Sequence, residues 1–231
     1  MSQKTRSKQA NAENRISRTS LVGVAVAVAI LVVGVVAATF LYQSDNAESL
    51  QGEAAARQAA LASEHSPMFG DPGAKVHIVE FLDPACETCA IFYPMVKQWM
   101  AEVPGEIRLS VRHLAFHSGA DYAVRVLEAS RNQDKYWQTL EALLASQRQW
   151  TQHHTVLPDK IMPAIAGVGL DMEQLMKDMN APEVLQRIEQ DKQDAILLKI
   201  SATPEYFVNG RPLPSFGRQQ LADLIREELS K

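Results

Sequence analysis

Cys86 and Cys89 are the only cysteines in the chain, and two residues separate them. On a helix, positions three apart share a face, so sulfurs at this spacing meet either as a disulfide or around a common reaction partner. The chemistry open to such a pair is thiol–disulfide exchange. One thiolate attacks a disulfide sulfur, and the second thiol resolves the mixed disulfide that forms. The neighbouring sequence supplies the helix. An apolar run with β character, Val76 to Leu82, breaks at Asp83-Pro84, and apolar residues then recur at helical spacing. That places Cys86 at a helix N-terminus, where unpaired backbone N–H groups and the helix dipole favour an anion and so ease formation of a thiolate.

Three other chemistries compete for a Cys-x-x-Cys pair. A structural zinc site wants four N or S ligands, and this chain has no second pair; His153-His154, the only other donor cluster, reads as a solvated loop, so no metal is assigned. A purely structural disulfide closing so short a loop would constrain little. A different class of function is a copper-handling module for periplasmic metalloprotein assembly. Here the reduced thiols would bind Cu(I), with Met68 or Met95 adding a thioether, although methionine on a helix usually packs.

The elements that must position the thiols follow in order. Gly70-Asp71-Pro72-Gly73 turns into a strand over Lys75 to Leu82, and the helix beginning near Cys86 carries Ile91, Phe92, Met95, Val96, Trp99 and Met100 to a stop at Pro104-Gly105. Pro94 predicts a kink or break inside that helix. Ile107 to Phe116 reads as a second strand, which completes a βαβ unit. Between it and Ser201 lies a block of helical periodicity with almost no strand signal, punctuated by Pro158, Pro163, Gly167, Gly169 and Pro182. The strand after Thr203-Pro204 closes through Asn209-Gly210, and a last helix runs from Arg218 to Leu229.

Composition sets the location. Residues 21–42 are twenty-two in a row without a charge, enough to cross a hydrocarbon core, and Lys4, Arg6, Lys8, Arg15 and Arg18 precede them against a single acid, Glu13. The expected organisation is a cytoplasmic tail over 1–20, a transmembrane helix over 21–42, a semi-rigid linker over 43–66 and a globular domain from 67 to 231. A cleavable signal peptide would have a shorter apolar core and a shorter preceding segment. The globular part then lies outside the membrane, in an oxidising compartment such as a bacterial periplasm, where a thiol pair can cycle. With the basic tail set aside, the exported part is acidic, which disfavours nucleic acid as a partner.

The order of elements resembles the DsbA-like branch of the thioredoxin superfamily, an α/β thioredoxin fold with an inserted helical domain, here over about 117–200. The motifs that carry the likeness are Glu80-Phe81 six residues before the first cysteine, Cys86-Glu87-Thr88-Cys89, Tyr136-Trp137 in the insert, and Thr203-Pro204-Glu205-Tyr206-Phe207-Val208-Asn209-Gly210. The resemblance implies Cys86 as nucleophile and Cys89 as resolving thiol. It also implies Glu80 as a buried acid that takes the Cys89 proton, and Thr203-Pro204 as a cis peptide against Cys86 that binds an extended substrate. Its implied partners are exported cysteine-containing proteins and a membrane redox protein, with no metal or organic cofactor beyond the Cys86-Cys89 disulfide.

Two positions depart from the family pattern. Ala85 stands where an aromatic residue is common, and Glu87-Thr88 stands between the thiols where strong oxidants carry a histidine. Glu87 is expected to oppose the thiolate, raise the Cys86 pKa and make the disulfide less oxidising.

Overall fold

A computed structural model describes residues 24, 30–32, 34–43, 47, 49–62 and 64–231. Contacts divide the chain into two units, Met1–Ala55 and Ala56–Lys231. Of the expected membrane span, Val24, 30–32 and 34–42 are described and helical; the remainder and the whole 1–20 tail lie outside the described residues. Among the described residues, no helix is long and apolar enough to cross a membrane.

The larger unit is built on a five-stranded sheet. Its strands are β1 (Met68–Phe69), β2 (Val76–Leu82), β3 (Ile107–His113), β6 (Glu205–Val208) and β7 (Arg211–Pro212), in spatial order β1-β3-β2-β6-β7. β2 and β3 run parallel, joined by helix α1 (Glu87–Glu102), and β6 pairs antiparallel on the other side of β2. This is the expected thioredoxin-like arrangement. β2 is buried along almost its whole length because both of its faces are covered, which is why its sequence reads as nearly continuous apolar. Its period of two then sorts the side chains. Val76, Ile78 and Leu82 join the main core with α1 and the insert, while Val79 and Phe81 join a smaller cluster with Phe207, Ala195 and Leu198. Glu80 has the parity of the first set.

The insert contains α2 (Ala120–Ser130), α3 (Tyr136–Ala145), α4 (Gln147–Trp150), α5 (Pro158–Ile165), α6 (Met172–Asp178) and α7 (Pro182–Leu198). Asp171 caps α6 by accepting from the Gln174 N–H at 3.0 Å, and Pro182 opens α7 at the position where its missing N–H leaves no bond unmade. The insert is not wholly helical. A two-residue hairpin, β4 (Thr151–Gln152) and β5 (Thr155–Val156), turns at His153 and His154, both at positive φ. Helix α8 (Arg218–Ser230) closes the sheet with Leu221, Leu224 and Ile225 inward.

Three expectations change in detail. α1 runs from Glu87 to Glu102 without a break, with Pro94 inside it, where the ring leaves one backbone donor missing. β3 ends at His113 rather than Phe116, because the N–H groups of Phe116 and His117 turn toward the Asp83 carboxylate. The last part of the expected linker belongs to the domain: Ala60 is buried and Leu61 packs beside it in the smaller cluster, and the Ala60 carbonyl accepts from Arg112. Two apolar residues were too few to make that packing face visible as a stripe.

Candidate active site

Cys86 is the N-cap of α1, with extended φ −77° and ψ 118°, and the first helical turn begins immediately after it. Two buried side chains hold the turn that delivers it. Asp83, fully buried, accepts the Ala85 N–H through Oδ1 at 2.8 Å, and through Oδ2 accepts the N–H groups of Phe116 and His117 at 2.7 and 2.9 Å. His117 Nδ1 lies 2.8 Å from the same oxygen, and its ring stacks on His154. From the insert, Gln147 donates to the carbonyls of Pro84 and Cys86, each at 2.9 Å. Neither Asp83 nor Gln147 was marked by the sequence: the first looked like a turn residue, and the second sits sixty-one residues from Cys86 in an unremarkable polar stretch.

Both cysteines are free thiols. The Cys86 sulfur lies 3.3 Å from the Thr203 carbonyl, and the Thr203–Pro204 peptide is cis, so the two positions taken as substrate-binding stand against the first sulfur. Cys86 is 6% exposed and Cys89 not at all. The two thiols are electrostatically unlike. The Cys86 pKa is lowered to about 6, chiefly by a hydrogen bond from the Cys89 thiol, against the opposing effect of burial; backbone N–H groups of Cys89 and Thr88 and the Thr203 side chain add to the stabilisation. Cys89 is pushed well up, first by burial and next by giving that same hydrogen bond. A nucleophile and a protonated reserve thiol result.

The expected influence of Glu87 is not found. Its side chain is exposed, where water screens its charge, and it is not among the groups that move the Cys86 thiol. Short-range donors at the helix N-terminus set the Cys86 pKa, which falls as expected from its place at the helix start and without the raising contribution expected of Glu87. Thr88 acts through its backbone N–H.

Glu80 is completely buried on β2, paired in register with Val111 and Tyr206. Its Oε1 accepts the Tyr206 hydroxyl at 2.9 Å, while Oε2 is buried with no hydrogen-bond partner. Burial raises its pKa to about 8, Tyr206 pulls it back, and the Cys86 charge raises it again. The carboxyl is therefore largely protonated at neutral pH and feels the charge on the thiols. Tyr206 is a further residue that the sequence did not single out. Its ring stacks on Phe92, which in turn contacts the exposed Phe216. A cleft of about 370 Å³ opens beside Glu87 and Ile91, walled on the far side by α4. Among the described residues, no group of three or more His, Cys, Asp or Glu is placed to hold a metal ion.

The sequence profile of the Thioredoxin family matches residues 62–226. A thioredoxin-like oxidoreductase from Silicibacter pomeroyi DSS-3 superposes with a TM-score of 0.65 at 30% identity, covering 75% of this chain and 98% of that one. Wolbachia pipientis α-DsbA1 gives a TM-score of 0.65 at 19% identity over 76% of this chain and 96% of its own. In sequence, the chain is 31% identical over 144 residues to the Na⁺/H⁺ antiporter NhaA of Herminiimonas arsenicoxydans, a match covering 62% of this chain and 22% of the antiporter. The chain thus spans about a fifth of that relative's length. With a βαβ core, a Cys-x-x-Cys helix N-terminus and a profile match over most of its length, the chain belongs to the thioredoxin family, with a helical insert between β3 and β6.

Proposed function

We propose that this protein is a membrane-anchored thiol–disulfide oxidoreductase that exchanges disulfides with cysteines of exported proteins. The observation that carries the reading is the separation of the two thiols: Cys86 ionises near pH 6 while Cys89, one helical turn further in, stays protonated. In the reducing direction, the Cys86 thiolate attacks one sulfur of a substrate disulfide, forming a Cys86–substrate bond and releasing the other substrate sulfur as thiolate. With the Cys86 charge consumed in the mixed disulfide, one cause of the raised Glu80 pKa is gone; Cys89 then gives its proton to the ionised fraction of Glu80 and attacks Cys86, which forms the Cys86–Cys89 disulfide and frees the second substrate thiolate. Oxidation of a substrate dithiol is the same sequence reversed. Two electrons move in either case, and no metal or organic cofactor takes part.

Stabilising the Cys86 thiolate favours the dithiol state of the enzyme. A pKa near 6 instead of 9 is worth about 1.4 kcal/mol at pH 7, or about 30 mV toward a more oxidising disulfide. A membrane redox protein would restore the pair after each turnover. Anchoring rests on the uncharged stretch 21–42 and the basic residues before it, and orients the domain to the periplasmic side of a bacterial inner membrane. The copper-handling alternative gains no third ligand: Met68 lies in β1 with its sulfur near Arg108, and Met95 packs against the core.

The test is catalysed insulin reduction together with oxidation of a model dithiol peptide. Wild-type protein should accelerate both and Cys86→Ser neither. Full activity in that variant would overturn the assignment.

A further inference from the structure

Gln147 lies outside every motif that brought the active site to notice, yet it ties the insert directly to the carbonyls of the reactive turn. Its side chain is buried, and both protons of its amide are committed, to the carbonyls of Pro84 and of Cys86 itself. Its own position is fixed in turn. Ser146 precedes it with its hydroxyl on the Ala142 carbonyl, and the Thr151 hydroxyl donates to the Gln147 carbonyl at 2.8 Å. Trp150, three residues on, is fully buried with its indole N–H on the Leu143 carbonyl at 2.9 Å. The amide is thus presented by a rigid corner of the insert.

Other groups on the turn do not duplicate this. Asp83 grips it from the N-terminal side at the Ala85 N–H, and the Cys86 carbonyl receives a second donor, the Ala90 N–H, at 3.2 Å. The Pro84 carbonyl has Gln147 as its donor in the structure. Where Cys86 sits relative to the first turn of α1 decides whether the N–H groups of Thr88 and Cys89 point at its sulfur, and donors of this kind act only at short range and good alignment.

We propose that Gln147 is a positioning residue for the Cys86 thiolate: its amide, presented by the insert, holds the Pro84–Cys86 turn in the geometry that aims the α1 N-terminus at the sulfur. The role deepens the thiol–disulfide reading of the same site, but its readout needs no substrate. If the oxidoreductase assignment failed while this effect appeared, the two would be separated.

The experiment is alkylation of the reduced full-length protein by iodoacetamide as a function of pH, with the 240 nm thiolate absorbance recorded in parallel. Gln147→Met keeps the bulk of the side chain and removes both donors. The expected result is a Cys86 titration displaced to higher pH, so that alkylation at pH 6 slows by about three- to tenfold while the rates above pH 9.5 converge with wild type. Gln147→Asn keeps an amide too short to reach both carbonyls, and gives an intermediate displacement; it decides the matter if the Met variant does not fold. A merely structural residue would lower the melting temperature and leave the titration unmoved. A folded variant with the wild-type titration, whatever its melting temperature, overturns the proposal.

Discussion

Replacing Glu80 by Gln isolates the buried carboxyl beneath the thiols. The structure holds this group with a pKa of about 8, whereas in the unfolded chain it returns to about 4.5. The folded state therefore keeps a proton that the unfolded state gives up. Because the folded pKa is raised, the associated stability is complete below pH 4.5 and is lost as pH rises through 8. The loss amounts to about 3 kcal/mol at pH 7 and approaches about 5 kcal/mol above pH 8. Gln cannot ionise, keeps an oxygen for the Tyr206 hydroxyl, and puts N–H groups where Oε2 already lacks a partner. Its cost is a constant offset. Urea unfolding of wild type and Glu80→Gln, followed by fluorescence of the buried Trp150, should give curves that diverge between pH 5 and 8, the variant gaining about 3 kcal/mol on the wild type across that window. The effect should be slightly smaller in the oxidised protein, where the Cys86 charge that helps raise Glu80 is gone. Parallel pH profiles for the two proteins would refute the raised pKa.

Cys89→Ala removes the largest stabiliser of the Cys86 thiolate. Its ionisation should move from about 6 toward 7, and alkylation at pH 6.5 should slow about threefold; an unshifted titration would assign the effect to the backbone donors instead. Arg112 is fully buried, bridging Asp191 and Asp194 of α7 and the Ala60 carbonyl. Arg112→Leu leaves those carboxylates buried without their main cation, so unfolding free energy should fall by about 3–5 kcal/mol in urea titrations. A loss below about 1 kcal/mol would show that His65 and the His113 N–H, which also hold Asp191, suffice.

Much of this protein is local in origin and was legible as such. Cys86 and Cys89 share a helical face by their spacing alone, the Asn209-Gly210 turn needs only two residues that accept positive φ, and both have it. The Asp171 cap and the Pro182 helix start are decided within a few residues of themselves, and the sheet strands announce themselves by apolar content. What the sequence did not disclose is the long-range polar bonding. Arg112, a charged residue within β3, lies buried against two aspartates some eighty positions away. Asp83, Gln147 and Tyr206 acquire their importance from partners that only folding brings near. The Glu87 expectation shows the reason. A charge judged from its place in a motif carries no information about solvent, and in the folded protein Glu87 faces water while the Cys86 sulfur meets the Cys89 thiol and the N–H groups of Thr88 and Cys89. Secondary structure is written in neighbours along the chain and can be read there, whereas ionisation depends on dielectric and on hydrogen-bond geometry, which exist only once the tertiary structure has set distances between residues far apart in sequence.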